Sequence, residues 1–408
     1  IADEPHSNRW IIFIWFIVGI SIGVHLLNLL AIPAIIFVYY FKKYKPTTKG
    51  LAIALGLSVV ILGFVQMVLI PQIINIAAKF ELLFTNGFGM PFNTGATIFG
   101  LLILGGVTYA LYYTQKNNKV LANTLTLSFT VLLLGYMTFG VIIIRSNANP
   151  PIDENNPENM VNLLSYLNRE QYGSSPLAYG HFFDSPLNNK GGGQDMYKDG
   201  SPVYFPNEVT GKYEVADDRK GSIPNYASEF NTVFPRMWSS KANHKSAYKT
   251  WSNFKGKPLK YNNLQTGKTE IIKKPTFGEN ISYFVNYQLW WMWGRYFAWN
   301  FIGRQNDLQG HGIDAGDLTN GNVMSGITAI DQMYLGNLDN YPDDLSKNKA
   351  MNFYYFLPFL IGLIGLYFQS KFDQNNALVV FLLFLFTGIA IAVFLNMYPY
   401  QPRERDYA

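Results

Sequence analysis

The sequence predicts an α-helical integral membrane protein that also carries a mixed α+β polar domain. Charged residues make up only 14% of the 408 residues and hydrophobic residues 49%, whereas about a quarter of the residues in soluble proteins are charged. The mean hydropathy of +0.05 is too polar for a bundle made only of membrane helices. Long apolar runs lie on both sides of a polar stretch, residues 145–350. Membrane helices and a polar domain together explain this distribution.

Composition excludes several classes of function. The chain has no cysteine, which excludes disulfide scaffolds, cysteine-ligated zinc and thiol catalysis. The net charge is +5, and no dense basic arm interrupts the sequence. We therefore expect no nucleic-acid partner.

Apolar runs near 20 residues predict the membrane helices, because that length spans a bilayer. None of these runs has a charged residue in its interior. The runs are 51–70, 94–114, 120–144, 352–368 and 377–397. Residues 72–93 then read as a loop between two crossings.

The first apolar stretch, residues 10–41, is too long for one upright crossing. Polar residues and Pro33 interrupt it. It predicts two short helices, 10–24 and 29–41, with a turn at 25–28; a single kinked helix is the alternative. Such a break is tolerated only where protein or a wet cavity receives the freed backbone groups.

Loop charges predict the orientation. Four lysines lie between residues 42 and 49, and Lys116 and Lys119 lie in a second loop. Basic loops face the cytoplasm. The turn at 25–28, the domain 145–350 and the loop that begins after residue 398 are therefore expected on the opposite, extracytoplasmic face.

The polar domain begins after a Pro-Asn linker at 147–151. The spacing of Met160, Leu163, Leu164 and Leu167 predicts a helix, with Asn156 as N-cap and Pro157 as its first residue. Segments 204–206, 212–215 and 269–273 predict strands joined by turns.

Residues 284–302 form the densest aromatic segment, with four tryptophans. An interfacial helix accounts for the rings, because Trp and Tyr favour the headgroup level. Arg295 and Arg304 carry planar guanidinium groups that suit phosphate or carboxylate. They could bind a lipid phosphate or pair with Asp307.

A glycine-rich loop holds His311, Asp314 and Asp317 after Asp307. Its oxygens could bind calcium or magnesium, but their spacing does not match an EF-hand. The alternative is a capped, hydrogen-bonded loop. We therefore assign no metal ligands.

Three segments resemble a bacterial membrane family that is common in Bacteroidota and long classed as a domain of unknown function. They are 19–33 (GISIGVHLLNLLAIP), 292–307 (MWGRYFAWNFIGRQND) and 399–408 (PYQPRERDYA). An animal relative of that family is a transmembrane protein O-mannosyltransferase. The resemblance covers essentially the whole chain.

The resemblance implies a multispanning GT-C glycosyltransferase of the bacterial inner membrane, with the 145–350 domain in the periplasm. Such an enzyme moves a sugar from a polyprenyl-phosphate sugar to a hydroxyl of an exported protein. Its expected partners are membrane lipid, the lipid-linked sugar and the acceptor protein. The candidate donor-binding and substrate-binding residues on that face are His25, Arg295, Arg304, Asp307, Arg403, Glu404, Arg405 and Asp406.

The catalytic acid of GT-C enzymes lies in the first extracytoplasmic loop, before the segment that matches residue 10. We therefore expect this chain to be an internal piece of a longer protein, with its catalytic base before residue 1. A divalent cation near the donor phosphate is a further implication.

Each candidate has a structural alternative. Arg403 and Arg405 could reach lipid headgroups as snorkelling side chains rather than donor phosphate. His25 could be a hydrogen-bonded packing residue. Two other functions stand beside the enzyme: a non-catalytic scaffold that docks partners through its periplasmic domain, and a transporter, which the lack of intramembrane charges disfavours.

Overall fold

The computed structural model describes residues 8–153, 155–167, 175–188, 196–263, 267–310 and 318–400. The chain forms two compact units. The first contains residues 1–174 and 199–220, and the second contains residues 175–198 and 221–408.

Helices dominate the first unit, and one short hairpin completes it. Its helices are α1 (Asn8–Val24), α2 (Ile32–Lys43), α3 (Thr48–Gly63), α4 (Ile70–Leu82), α5 (Thr94–Lys116), α6 (Val120–Tyr136), α7 (Gly140–Ser146) and α8 (Met160–Leu167). Strands β3 (Val203–Asn207) and β4 (Lys212–Asp217) pair antiparallel. Helix α1 packs along α6, and α4 packs against α5 and α8.

The second unit combines small sheets with helices. Its strands are β1 (Tyr179–Gly180), β2 (Tyr197–Lys198), β5 (Ile223–Pro224), β6 (Thr232–Val233), β7 (Lys257–Asn263), β8 (Lys268–Lys274), β9 (Gly303–Arg304) and β10 (Asn352–Phe353). Its helices are α9 (Ala242–Ser252), α10 (Phe277–Tyr283), α11 (Arg295–Phe301), α12 (Thr328–Leu335), α13 (Asp343–Ser346), α14 (Leu357–Phe372), α15 (Gln374–Phe384) and α16 (Ala390–Leu395). The sheets pair β1 with β6, β2 with β5, β7 with β8, and β9 with β10.

Five helical stretches among the described residues are long and apolar enough to cross a membrane. They are Leu26–Lys43, Thr48–Gly87, Thr94–Lys116, Val120–Ser146 and Gln374–Leu395, and Asn8–Val24 and Leu357–Phe372 are shorter apolar helices. The predicted class, a helical membrane protein with small sheets, agrees with this architecture.

One predicted loop is wrong. Residues 72–93 were expected to leave the membrane helix, yet the helix continues from Thr48 to Gly87. A π-helical turn, Phe64–Leu69, precedes Pro71. The wider turn accommodates a residue that lacks an N–H without ending the helix. The continuation buries Ile74, Ala77 and Glu81 on one face. Tertiary packing therefore stabilises a helical segment beyond residue 70, where the apolar run ends.

Two predicted helix starts also shift. The cap of α8 is Asn159 rather than Asn156, since the Asn159 side chain accepts from the N–H groups of Val161 and Asn162, both at 3.0 Å. The helix expected from residue 352 begins at Leu357. Residues Asn352–Phe353 instead pair with Gly303–Arg304.

An aromatic core lies in the second unit. Its fully buried members include Phe182, Tyr248, Tyr283 and Tyr287. Helix α10, a π-helical segment (Phe284–Gly294) and α11 follow one another without interruption. The segment predicted as an aromatic helix is therefore helical, and it buries part of its ring set in this core.

Candidate functional site

The helix break in the first unit is built by His25. Helix α1 ends at Val24, and His25 has an extended backbone with φ of −159°. Its Nδ1 accepts the Leu27 N–H at 3.2 Å and so caps the 3-10 turn Leu26–Ala31. Because Nδ1 is the acceptor, the neutral ring carries its proton on Nε2.

The His25 ring is exposed and forms the hydrogen bond that a packing role requires. Its contact with a donor substrate stays a prediction. No described residue bonds its Nε2. The geometry leaves one imidazole N–H donor at a break between two apolar helices.

Arg295 lies in the second unit and is almost fully buried, with 2% of its surface exposed. Its guanidinium stacks 3.7 Å from the centre of the Trp291 ring. Nε donates to the Trp291 carbonyl at 3.1 Å, Nη2 to the Gln309 carbonyl at 2.5 Å, and Nη1 to the Gly321 carbonyl at 3.3 Å. Arg295 thus fastens the loop after β9 to the aromatic helix. Phosphate binding by Arg295 stays a prediction.

Arg304 uses fewer of its guanidinium nitrogens in hydrogen bonds than Arg295 does. Its Nε donates to the Ala350 carbonyl at 2.8 Å, and its backbone N–H donates to the Asn352 side chain at 3.0 Å. Within the described part of the chain, its two terminal nitrogens bond no partner. A half-buried arginine with two free donors suits an anionic ligand.

Trp299 connects the two arginines. Its ring centre lies 5.5 Å from the Arg295 guanidinium carbon and 5.9 Å from that of Arg304. Its Nε1 donates to the Gly321 carbonyl at 2.9 Å. The structure therefore brings the two predicted arginines to the same indole ring.

The remaining candidates divide into two groups. Asp307 is exposed, and neither arginine forms an ion pair with it among the described residues. Arg403, Glu404, Arg405 and Asp406 lie outside the described residues, as do His311, Asp314 and Asp317. Where the structure describes the chain, no three His, Asp or Glu side chains come close enough to hold a metal ion.

Sequence reasoning missed a cleft of about 600 Å³ in the second unit. Its lining includes Asp184, Leu187, Lys249, Phe254 and residues 270–273. We call it the β8 cleft. The available signal was charge, since residues 221–285 hold ten Lys or Arg and three Asp or Glu.

Comparison with known proteins adds two partial matches. Residues 1–48 match the family model described as the Protein O-mannosyl-transferase TMEM260 N-terminal domain, and this stretch contains α1, the His25 break and α2. Residues 173–285 match a second model, described as Family of unknown function (DUF8416), and this stretch contains every residue that lines the β8 cleft. No curated protein and no solved structure matches the chain.

Proposed function

We propose that this chain is part of a GT-C glycosyltransferase that transfers a sugar, mannose being the first choice, to Ser or Thr of exported proteins. The match of residues 1–48 to an O-mannosyltransferase domain carries the proposal. The apolar helices support it, because a polyprenyl-phosphate sugar is presented from a membrane. We place the enzyme in a bacterial inner membrane and residues 145–350 in the periplasm.

The proposed reaction is a displacement at the anomeric carbon of the lipid-linked sugar. The acceptor hydroxyl oxygen forms the new bond, and the bond to the phosphate oxygen breaks. The polyprenyl phosphate leaves with the bonding electron pair, and the hydroxyl proton passes to a carboxylate base. We assign this base to no described residue.

Donors that face developing negative charge stabilise such a transition state. The free Nε2–H of His25 and the two free terminal nitrogens of Arg304 are the donors that the described chain offers. We propose that each contacts the donor phosphate or sugar. Arg295 positions the loop after β9.

The test is transfer of radiolabelled mannose from polyprenyl-phosphate mannose to a Ser/Thr peptide by the purified full-length protein. His25→Ala removes both the cap and the donor, whereas His25→Asn keeps a capping acceptor. If His25 contacts the substrate, both variants lose transfer activity by about tenfold or more. Activity that His25→Asn retains would assign His25 to the helix break alone.

Arg304→Gln tests the second donor, with Arg219→Gln, a half-buried arginine of the first unit, as the matched control. We expect a higher KM for the donor in the first variant and an unchanged KM in the control. A full-length protein that transfers no sugar from any polyprenyl-phosphate donor, yet still retains periplasmic partners, would support the scaffold instead.

A further inference from the structure

The β8 cleft wraps around one edge of a hairpin. Register pairs Tyr261 with Glu270 and Leu259 with Ile272, so these side chains share one face of the hairpin. Ile271 and Lys273 point to the other face, because side chains alternate along a strand. The cleft touches Glu270, Ile271, Ile272 and Lys273 in succession. The cleft also touches Tyr261 and Asn263 of β7, so it covers the hairpin face that they share with Glu270 and Ile272. It reaches the edge of β8 at Ile271 and Lys273.

That edge is open. Strands β7 and β8 form a two-stranded sheet, and no described residue outside the hairpin bonds the backbone of β8. In an antiparallel pair, every second residue directs its N–H and C=O away from its partner strand. Such a row of unpaired groups is a template for an added strand.

The cleft also has free positive charge. The ammonium groups of Lys249 and Lys273 form no hydrogen bond or ion pair among the described residues. The Asp184 carboxylate is already paired with Lys245 at 2.5 Å. On the hairpin itself, Lys257 lies opposite Lys274. One carboxylate, Glu270, also lines the cleft and accepts from the Asn263 side chain at 3.3 Å. Residues 257–274 nevertheless hold five lysines against this single acidic residue. The surroundings of the open edge are therefore basic.

Apolar side chains form part of the cleft wall. Leu187, Phe254 and Ile272 contribute to its wall, and Ile271 is 68% exposed at the edge. An added strand would place alternate side chains against this surface and the others towards the lysines.

We propose that the β8 cleft binds an extended, acidic polypeptide segment that pairs its backbone with the outer edge of β8. The paired backbone gives affinity, and Lys249 and Lys273 select acidic side chains. This binding does not depend on sugar transfer, so it can hold whether or not the proposed enzymatic function is correct.

The experiment measures fluorescence anisotropy with the full chain in a neutral detergent. The probe is a labelled eight-residue peptide of alternating Asp and Val. We compare it with the same peptide carrying Lys for Asp, and with an acidic peptide N-methylated at alternate amides. We expect the acidic peptide to bind about tenfold or more tightly than the lysine peptide, and less tightly as salt is raised. Alternate amides can be N-methylated at the odd or at the even positions of the peptide. One of these two peptides should not bind, because its methyl groups replace the N–H donors that pair with β8.

The chain variants are Lys249→Glu and Lys273→Glu, each expected to weaken the acidic peptide roughly tenfold. Lys212→Glu is the matched control, since Lys212 is an exposed lysine on the other described hairpin, β3–β4, and it should bind as the parent does. Circular dichroism checks that each variant folds.

Equal binding of the acidic and basic peptides would overturn the charge assignment. If both N-methylated peptides bound as tightly as the unmethylated acidic peptide, strand pairing would be overturned. Binding of anionic vesicles that needs the same lysines, without any peptide binding, would also reject the proposal, in favour of a lipid surface.

Discussion

Gly135 of α6 lies directly against the backbone of Gly19 in α1. A Cβ atom placed on Gly135 would lie 2.7 Å from the Gly19 carbonyl carbon and 2.5 Å from the Ile20 nitrogen. A Cβ atom on Gly19 would meet the Leu132 carbonyl in the same way. Small residues let membrane helices approach this closely, so these two glycines set the distance between α1 and α6.

The first prediction concerns that crossing. Gly19→Ala and Gly135→Ala should each lower the free energy of unfolding by roughly 1–3 kcal/mol, because the added methyl must push the backbones apart. Thermal unfolding in detergent measures the loss. Gly105→Ala in α5 is the control, since no described atom beyond its chain neighbours and the backbone of its own helix lies within 4 Å of its Cβ position. Equal stability of all three variants would contradict the close crossing.

Arg295 gives the second prediction. The substitution Arg295→Lys keeps the positive charge. The lysine ammonium, however, cannot reach the carbonyls of Trp291, Gln309 and Gly321 together. We expect a loss of about 2–4 kcal/mol, because buried acceptors are left unpaired. Amide hydrogen exchange should rise in residues 318–325. Arg304→Lys, which gives up one carbonyl bond, should cost about 1 kcal/mol; a larger loss there than at Arg295 would contradict this account.

Asn396 gives the third prediction. Its backbone is left-handed, with φ of 44°, and its amide nitrogen donates to the carbonyls of Pro176 at 2.7 Å and Pro235 at 2.9 Å. Asn396→Gly keeps the backbone preference but removes these bonds, and should cost about 2–3 kcal/mol. Asn253→Gly is the control, because Asn253 is also left-handed but exposed. It should change unfolding by less than about 0.5 kcal/mol.

Glu81 gives the fourth prediction. Its buried carboxylate accepts the N–H groups of Asn93 at 2.6 Å and Ala96 at 3.0 Å, at the N-terminus of α5. Glu81→Gln removes the charge and points an amide at a backbone donor, which should cost about 2 kcal/mol. Glu208→Gln is the control, because Glu208 is exposed, and it should leave the free energy of unfolding unchanged. Similar unfolding temperatures for both variants would reject this capping role.

Two histidines give the fifth prediction. Burial, then the charge of Lys241, lowers the pKa of His244 to about 4, and burial lowers the pKa of His181 to about 4. His244 bonds Ser239 at 2.8 Å, and His181 stacks on Tyr226. In the unfolded chain both should titrate near about 6.5, so the unfolded state binds more protons between these values.

The contribution of the two histidines to the free energy of unfolding should therefore be fully present above a pH of about 6.5. It should fall as the pH drops towards 4 and change no further below that pH. The double variant of His181→Gln and His244→Gln should flatten this slope, whatever its absolute stability. Unfolding temperatures between pH 7 and pH 4 measure it. An unchanged slope in the double variant would show that other groups set the pH dependence.

The apolar runs were enough to predict helices, because a membrane helix must satisfy its own backbone and carry apolar side chains throughout. The strand segments near 204, 212 and 269 could be predicted as well, since β-prone residues there alternate between turns. The continuation of the helix past Pro71 could not, because the π-helical turn and the packing of Glu81 depend on distant residues.

For the candidate site, the sequence alone predicted the phosphate-binding side chains, namely His25 and the arginines. Only the tertiary structure decided which of their donors are already used. Arg295 donates its nitrogens to backbone carbonyls that lie up to 26 residues away. Arg304, in contrast, has two terminal nitrogens that bond no described residue. Hydrogen-bond satisfaction is a property of neighbours in space, and residue type and spacing along the chain do not specify those neighbours.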